Sequence, residues 1–316
     1  MFTFYYSQLN SIEKKIYNQY LSTLKEKKNT FIVTGNIKEE NLLRARDALF
    51  FDHAEIYEQS NAMSYMFLGN MLKVELDYYF SIEDIKKYEQ EIIASVINNF
   101  KFLKMLSSDY DKLKYIHDYF CNHVTYDLEE ENAFNILGPL LKNRGVCQGV
   151  AMSVKLICDY LKIKCYIAYG TLKKDDGEEG HAWNVVNIND NWYHLDLTND
   201  LNNYQFSLVS YDYFLISDSD IYKTHTPTKD FKMMPCIDNK LNYYYMNHIA
   251  FNSLSKAVDY INNAFKSRDV VRFRLLSNDE KDYFTRIFTR IKLTSYQSMK
   301  LEYVFNKHLN TYTVKI

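Results

Sequence analysis

Proline and glycine are scarce in this chain of 316 residues, which carries 3 of the first and 8 of the second. Few flexible linkers are therefore expected, and the domains should pack directly against one another. An excess of one charge is also lacking: 38 basic against 40 acidic side chains leave a net charge of −2. A nucleic-acid partner usually needs a concentrated basic surface, so none is expected. The cluster of Lys25, Lys27 and Lys28 reads as a solvated helix end. No run approaches the ~20 apolar residues of a membrane span, so no membrane partner is expected. The N-terminus has no basic segment followed by an apolar core and a small-residue cleavage site. Five scattered cysteines, Cys121, Cys147, Cys158, Cys165 and Cys236, form neither a disulfide framework nor a Cys-x-x-Cys zinc pair. A reduced, cytoplasmic protein is the default expectation. A glycine-rich phosphate loop and a His-Glu-x-x-His helix are both missing, so no metal, nucleotide or flavin cofactor is expected.

Aromatic residues are abundant, with 29 Tyr and 20 Phe, and an apolar share of 47% suits a globular core. Ile12, Ile16, Tyr20 and Leu24 recur every four residues and predict a helix from Leu9 to Lys27. Thr30 to Thr34 reads as a strand, Glu39 to Tyr57 as a helix, and Met63 to Tyr79 as a hairpin about Gly69-Asn70. Ser81 followed by Asp84 opens a helix to about Leu106. A helix over Asp109 to Val124 and a connector over Asn132 to Arg144 lead to a strongly periodic helix beginning at Cys147. Its stripe is Val150, Ala151, Val154, Ile157, Cys158 and Leu161. Strands follow at Cys165 to Thr171, Ala182 to Ile188 and Trp192 to Leu197, with Lys173 to Gly180 read as a polar loop. After Pro235 the pattern changes to a small α+β module. Its parts are Tyr243 to Phe251, a helix from Leu254 to Lys266, a strand from Val270 to Leu276, a helix from Asp279 to Ile291 and a strand pair from Leu301 to Ile316. The expected division is 1–108, 109–235 and 236–316.

Cys147 stands where a helix begins. Unpaired N–H groups and the positive end of the dipole stabilise a thiolate there, and the same N–H groups can receive an oxyanion. The bland alternative, a small buried apolar cysteine, suits Cys158 on the stripe and Cys165 in a strand. His181 and Asp196 are joined by register. If Asn189-Asp190 is a two-residue loop, Ile188 pairs with Asn191 and Trp183 falls opposite Asp196. His181 then lies diagonal to Asp196, at ~7–8 Å between Cβ atoms, within reach of a hydrogen bond. A three-residue loop would put Asp196 on the opposite face. The paired geometry would orient His181 as the base for a thiol. By the same register His194 shares this face.

The pieces Tyr126-Asp127, Arg144-Gly145-Val146-Cys147-Gln148-Gly149, Gly180-His181-Ala182-Trp183-Asn184 and Trp192 to Thr198 resemble, in order and spacing, bacterial members of the transglutaminase-like superfamily. The resemblance covers roughly Asp109 to Asp200. It implies an α+β fold with a papain-like core, a nucleophile helix packed on an antiparallel sheet. It also implies Cys147 as nucleophile, His181 as general base and acid, and Asp196 as the residue orienting His181. Gln148, Tyr126 and Trp183 are candidates for the second oxyanion donor or for substrate contact, Trp183 more as a residue packed beside His181. The segment Leu197-Thr198-Asn199-Asp200 departs from the Pro-Thr-Trp-Asp frequent in relatives, so the substrate wall there is expected to differ.

The function expected is thiol-dependent acyl transfer on peptide or protein amides through a thioester, with hydrolysis favoured over crosslinking. The fold alone does not choose between those outcomes. The rivals are a non-catalytic protein-binding module and acetyl transfer from a thioester donor. The acidic stretch Asp175-Asp176-Gly177-Glu178-Glu179 reads as a solvated lid or turn rather than a cation site.

Overall fold

The computed structural model describes residues 1–202, 208–276 and 302–315. Helix α1 (Ser11–Lys25) begins with a reciprocal cap: the Asn10 side chain accepts the Ile12 and Glu13 N–H groups, and Glu13 accepts the Asn10 N–H. Its buried face carries Ile16, Tyr20 and Leu24, as the spacing predicts. Strand β1 (Thr30–Thr34) and helix α2 (Glu39–Asp52) follow, then β2 (Gln59–Leu68) and β3 (Met71–Tyr78) around Gly69-Asn70. The three strands form one sheet in the order β1-β3-β2. Helix α2 stops at Asp52, short of the expected Tyr57. The Asp52 carboxylate accepts the N–H groups of Tyr5 and Tyr6, so the end of α2 pins the start of the chain. Helix α3 (Ile82–Phe100) is capped by Ser81, which accepts the Asp84 N–H, and runs on as a 3₁₀ turn to Met105.

The middle of the chain begins with α4 (Asp109–His123), β4 (Thr125–Tyr126), β5 (Arg144–Gly145) and α5 (Cys147–Leu161). Next come β6 (Cys165–Lys174), β7 (Gly177–Ile188), β8 (Asn191–Leu195), α6 (Leu197–Asn202), β9 (Phe214–Ile216), α7 (Asp218–Ile221) and β10 (His225–Pro227). Five of these strands make an antiparallel sheet in the order β10-β6-β7-β8-β9. Both faces are covered. Ile167, Val186, Tyr193 and Leu195 join Val150, Val154 and Ile157 of α5 in one core. Tyr166, Ala168, Trp183 and Val185, on the alternate positions, join Leu42, Leu49 and Val74 of the N-terminal region in another. The period of two thus buries both faces of residues 165–168 in β6 and 181–186 in β7.

Two expectations are corrected here. Lys173 to Gly180 is not a loop: β6 and β7 run through it and pair up to Lys174 and Gly177, leaving Asp175-Asp176 as the turn. The strand extension projects past both cores, so its side chains are polar on both faces and no alternation marks it. The strand expected over Trp192 to Leu197 ends at Leu195, because Leu197 opens α6.

The remaining elements are α8 (Tyr243–Met246), β11 (Ala250–Phe251), α9 (Leu254–Ala264), β12 (Val270–Leu275), β13 (Glu302–Asn306) and β14 (Thr311–Lys315). They form a sheet in the order β11-β12-β14-β13 with its own core of Tyr244, Ala257, Ile261, Phe273 and Tyr312. The helix expected over Asp279 to Ile291 lies outside the described residues. Among the described residues no helix is long and apolar enough to cross a membrane.

Candidate active site

Cys147 is the first residue of α5, after Val146 in an extended conformation with no side-chain cap. The N–H groups of this first turn receive no side-chain cap. The thiol is half-buried, whereas Cys121, Cys158, Cys165 and Cys236 are buried. Two features place it. Strand β4 pairs in parallel with β5, Tyr126 opposite Gly145, and Asp127 holds Arg144 at 2.9 Å. Gly149 lets the 133–135 segment lie on the helix start, since a Cβ there would stand 2.2 Å from the Ala133 carbonyl oxygen. The Arg-Gly-Val-Cys-Gln-Gly run is therefore a tight crossing of two backbones.

The histidine and aspartate are set by the β7–β8 hairpin. Asn189 and Asp190 both have positive φ, 51° and 62°, the two-residue turn that matches strand twist. Ile188 pairs with Asn191 and Asn184 with Leu195, so Asp196 falls opposite Trp183 at the strand end. His181 Nε2 lies 2.8 Å from Asp196 Oδ2. That leaves Nδ1 as the ring nitrogen not engaged by Asp196, and Cys147 is near enough to the ring to help raise its pKa. Burial alone would lower the His181 pKa, but the charge and hydrogen bond of Asp196, with Cys147, raise it to about 10. Burial would conversely raise the Asp196 pKa, and His181 and His225 pull it well below the carboxylate range. Imidazolium beside carboxylate is thus the resting pair.

Asp196 holds more than His181. Its Oδ2 also meets His225 Nε2 at 3.0 Å and accepts the Asn199 side-chain amide at 2.7 Å, while Oδ1 accepts the Asn199 N–H at 3.1 Å. The last bond caps α6. The departure at Leu197 to Asp200 is therefore an inward-facing helix start. Asp200 in turn is buried against His117 Nε2 at 3.1 Å, Ser210 and the Tyr213 N–H, fastening α6 to α4. His225, at 2% exposure, was not visible in the sequence. It sits on the edge strand β10, opposite Leu172, outside every matched motif. Gly170 lets β10 approach: a Cβ there would stand 2.0 Å from the Thr226 carbonyl oxygen.

The other candidates separate. Tyr126 stands beside Cys147, and burial first, then Cys147 and Glu179, push its phenol up to about 12. The Gln148 side chain is half-buried and has no hydrogen-bond partner among the described residues. Trp183 packs beside His181. It is 1% exposed, its ring lies nearly parallel to His181 at 6.1 Å, and its N–H donates to His194 Nδ1 at 3.0 Å. His194 Nε2 then faces Asp218 at 2.8 Å. With Nδ1 accepting, Nε2 carries the proton, and burial lowers the His194 pKa despite Asp218. His194 thus supports Trp183 from behind.

Two clusters among the described residues bring metal-ligating atoms within 4.8 Å: His181, Asp196 and His225, and His194, Asp218 and Cys236. In both, the ring nitrogens are already bonded to the carboxylate, and Cys236 donates to the Met234 carbonyl. These are proton-linked networks whose donors meet acceptors, so the donor sets do not call for an ion.

Residues 99–197 match the family model of the transglutaminase-like superfamily. The superfamily is one of cysteine-protease- and transglutaminase-type folds, which agrees with the α+β architecture. Kyphoscoliosis peptidase of Mus musculus is 26% identical over 159 residues, covering 46% of this chain and 23% of that protein. The Homo sapiens protein of the same name is 24% identical over the same length. The matched part therefore spans about a quarter of the length of these curated relatives. A crystal structure of a TGase is similar at 16% identity and a TM-score of 0.31, covering 54% of this chain and 51% of that one.

Proposed function

We propose that this protein performs thiol-dependent acyl transfer on peptide or protein amides, with Cys147 as nucleophile, His181 as acid and base, and Asp196 orienting His181. The observation that carries the reading is the 2.8 Å bond from His181 Nε2 to Asp196, which leaves Nδ1 for the half-buried Cys147 at a helix start without a side-chain cap. The thiolate adds to the amide carbonyl, and the first-turn N–H groups of α5 receive the oxyanion. The C–N bond breaks as the His181 imidazolium gives its proton to the leaving amine, and a thioester remains on Cys147. His181, now neutral, takes a proton from the incoming nucleophile, the thioester opens and the thiolate leaves. Tyr126 and Gln148 are the two candidates for the side-chain donor to the oxyanion.

Hydrolysis is the favoured resolution. The hairpin tip from Lys173 to Gly180, just ahead of His181, is exposed and polar throughout, which supports access of water. The test has two parts. Iodoacetamide at neutral pH should label Cys147 well before Cys158 in the native protein; equal labelling would remove the activated thiol. Mass spectrometry of Cys147 after mixing with an unbiased peptide pool should then reveal a thioester adduct. Adding a labelled primary amine at millimolar concentration separates the outcomes, and predominant amine incorporation would reassign the protein to crosslinking.

A further inference from the structure

Beside the thiol lies a cleft of about 550 Å³. Its size is that of a small-ligand site, roughly 300–1,000 Å³. It borders the start of α5, since its lining includes Gln148, the residue after Cys147, and Met152 one turn on, with Tyr169 close enough for Cys147 to raise its pKa. One wall is Phe51, stacked on Tyr169 at 3.8 Å, with Phe50 next to it on α2. Tyr79 and Phe80 close a second side, and Phe134, 53% exposed, forms a third. Most of this wall comes from residues 46–80, ahead of the matched segment 99–197, so it belongs to this chain's own N-terminal region.

The polar groups narrow the ligand. Arg46 is engaged by Asp47, with Nε and Nη2 at 3.1 and 2.9 Å from Oδ1, and is not free to hold an anion. Glu131, exposed at the rim, then leaves the cleft with net negative charge, which disfavours an acidic side chain. The Gln148 amide and the Asn132 side-chain N–H groups have no partner among the described residues. Amides of this kind pair with a peptide backbone, which offers one donor and one acceptor per residue. Aromatic side chains on three sides of the cleft suit an aromatic ring packed against them.

Resting on the proposed acyl-transfer site, we infer that this cleft is the substrate-specificity pocket and takes an aromatic side chain of a peptide, close in sequence to the amide attacked by Cys147. Phe51, Tyr169 and Phe134 contact the ring, and Gln148 and Asn132 hold the adjoining backbone. The α2 helix and the β3–α3 junction thus select the substrate, while the 99–197 segment carries the thiol chemistry.

The test uses the full chain and tripeptide chloromethyl ketones carrying Phe, Ala, Lys or Glu at the first, second or third residue from the reactive carbonyl. Phe at one position should speed Cys147 modification about tenfold over Ala, the scale of burying one ring, and over Lys and Glu. Phe134→Ala should reduce that advantage several-fold and leave iodoacetamide labelling of Cys147 unchanged. The same sequences as plain amides, titrated against Cys147→Ala, should show the same ranking in Kd, which keeps the test independent of thiol reactivity. No aromatic preference in either format, or a preference for Lys, overturns the pocket assignment while normal iodoacetamide labelling keeps the acyl-transfer reading. An aromatic preference in binding with an inert Cys147 upholds the pocket and sinks that reading.

Discussion

A carboxylate with two histidines on one oxygen has to divide its charge between them, and that division governs His181. With Asp196 beside it, His181 stays protonated up to about pH 10, so the alkaline limb of peptide-amide turnover is expected near there. Asp196→Asn removes the charge that raises this pKa. The limb should then fall toward the ordinary imidazole value of 6.5, and kcat should drop by roughly 10²–10⁴-fold, measured as a pH–rate profile. The sign for stability is the same. A folded pKa above the unfolded one stabilises fully below about pH 6.5, and that contribution is lost as pH rises through about 10. His225→Phe is expected to act oppositely on the limb, because Asp196 loses a competing donor and binds His181 more strongly. The alkaline limb should move up while kcat falls about tenfold through looser positioning of His181. His225→Gln, which keeps an N–H at that reach, should restore most of the rate. An unchanged limb in His225→Phe would count against a shared carboxylate.

Among the elements, β10 is the one that the site depends on most and the matched motifs describe least. It reaches Asp196 only because Gly170 of β6 has no side chain where Thr226 crosses. Gly170→Val puts a branched side chain against backbone at 2.0 and 2.8 Å, so the strand must shift. The expected cost is about 1–3 kcal/mol in urea unfolding, with the same upward displacement of the alkaline limb as His225→Phe. A variant that loses stability but keeps the wild-type pH profile would show that β10 supports the fold without setting His181. Helix α5 is tied in a different way: the Asn184 amide donates to the Ala151 carbonyl at 2.9 Å, fixing the helix on β7 about one turn from Cys147.

At the scale of the molecule, the described residues hold four buried apolar clusters, and the smallest joins Tyr213, Ile216 and Ile221 to Leu309 of the C-terminal part. The C-terminal sheet is joined to the site region by a buried fork: Arg274 of β12 contacts both oxygens of Asp220 on α7 at 2.7 Å. Burial would raise the Asp220 pKa, and Arg274 with Lys223 lowers it. Arg274→Leu leaves that carboxylate buried without its fork and should cost about 3–5 kcal/mol in thermal or urea unfolding. The loss should be greatest above the ordinary carboxylate range and shrink as pH falls through it, because Asp220 stabilises the fold only while ionised. An equal loss at pH 3 and pH 7 would show that packing, and not the ion pair, is what Arg274 supplies.

Local pattern alone determined several features of this chain. The four-residue spacing of Ile16, Tyr20 and Leu24, the stripe of α5, and the hairpin at Asn189-Asp190 each depend on neighbours close along the chain, and each is present where it is expected. The same register argument placed His181 beside Asp196, because a two-residue turn leaves only one pairing. Folding decided the rest. His225, 29 residues beyond Asp196, comes to it only through the pairing of β10 with the far edge of β6, which no local period encodes. The strands through Lys173 to Gly180 were hidden because side chains exposed on both faces carry no alternation. Trp183 was ambiguous for a related reason: whether an indole meets substrate or a buried histidine depends on what lies behind it, and His194 is placed there by the hairpin. The aromatic cleft is the clearest case, since Phe51 and Tyr169 are 118 positions apart in numbering and touch only because the N-terminal region packs across the central sheet.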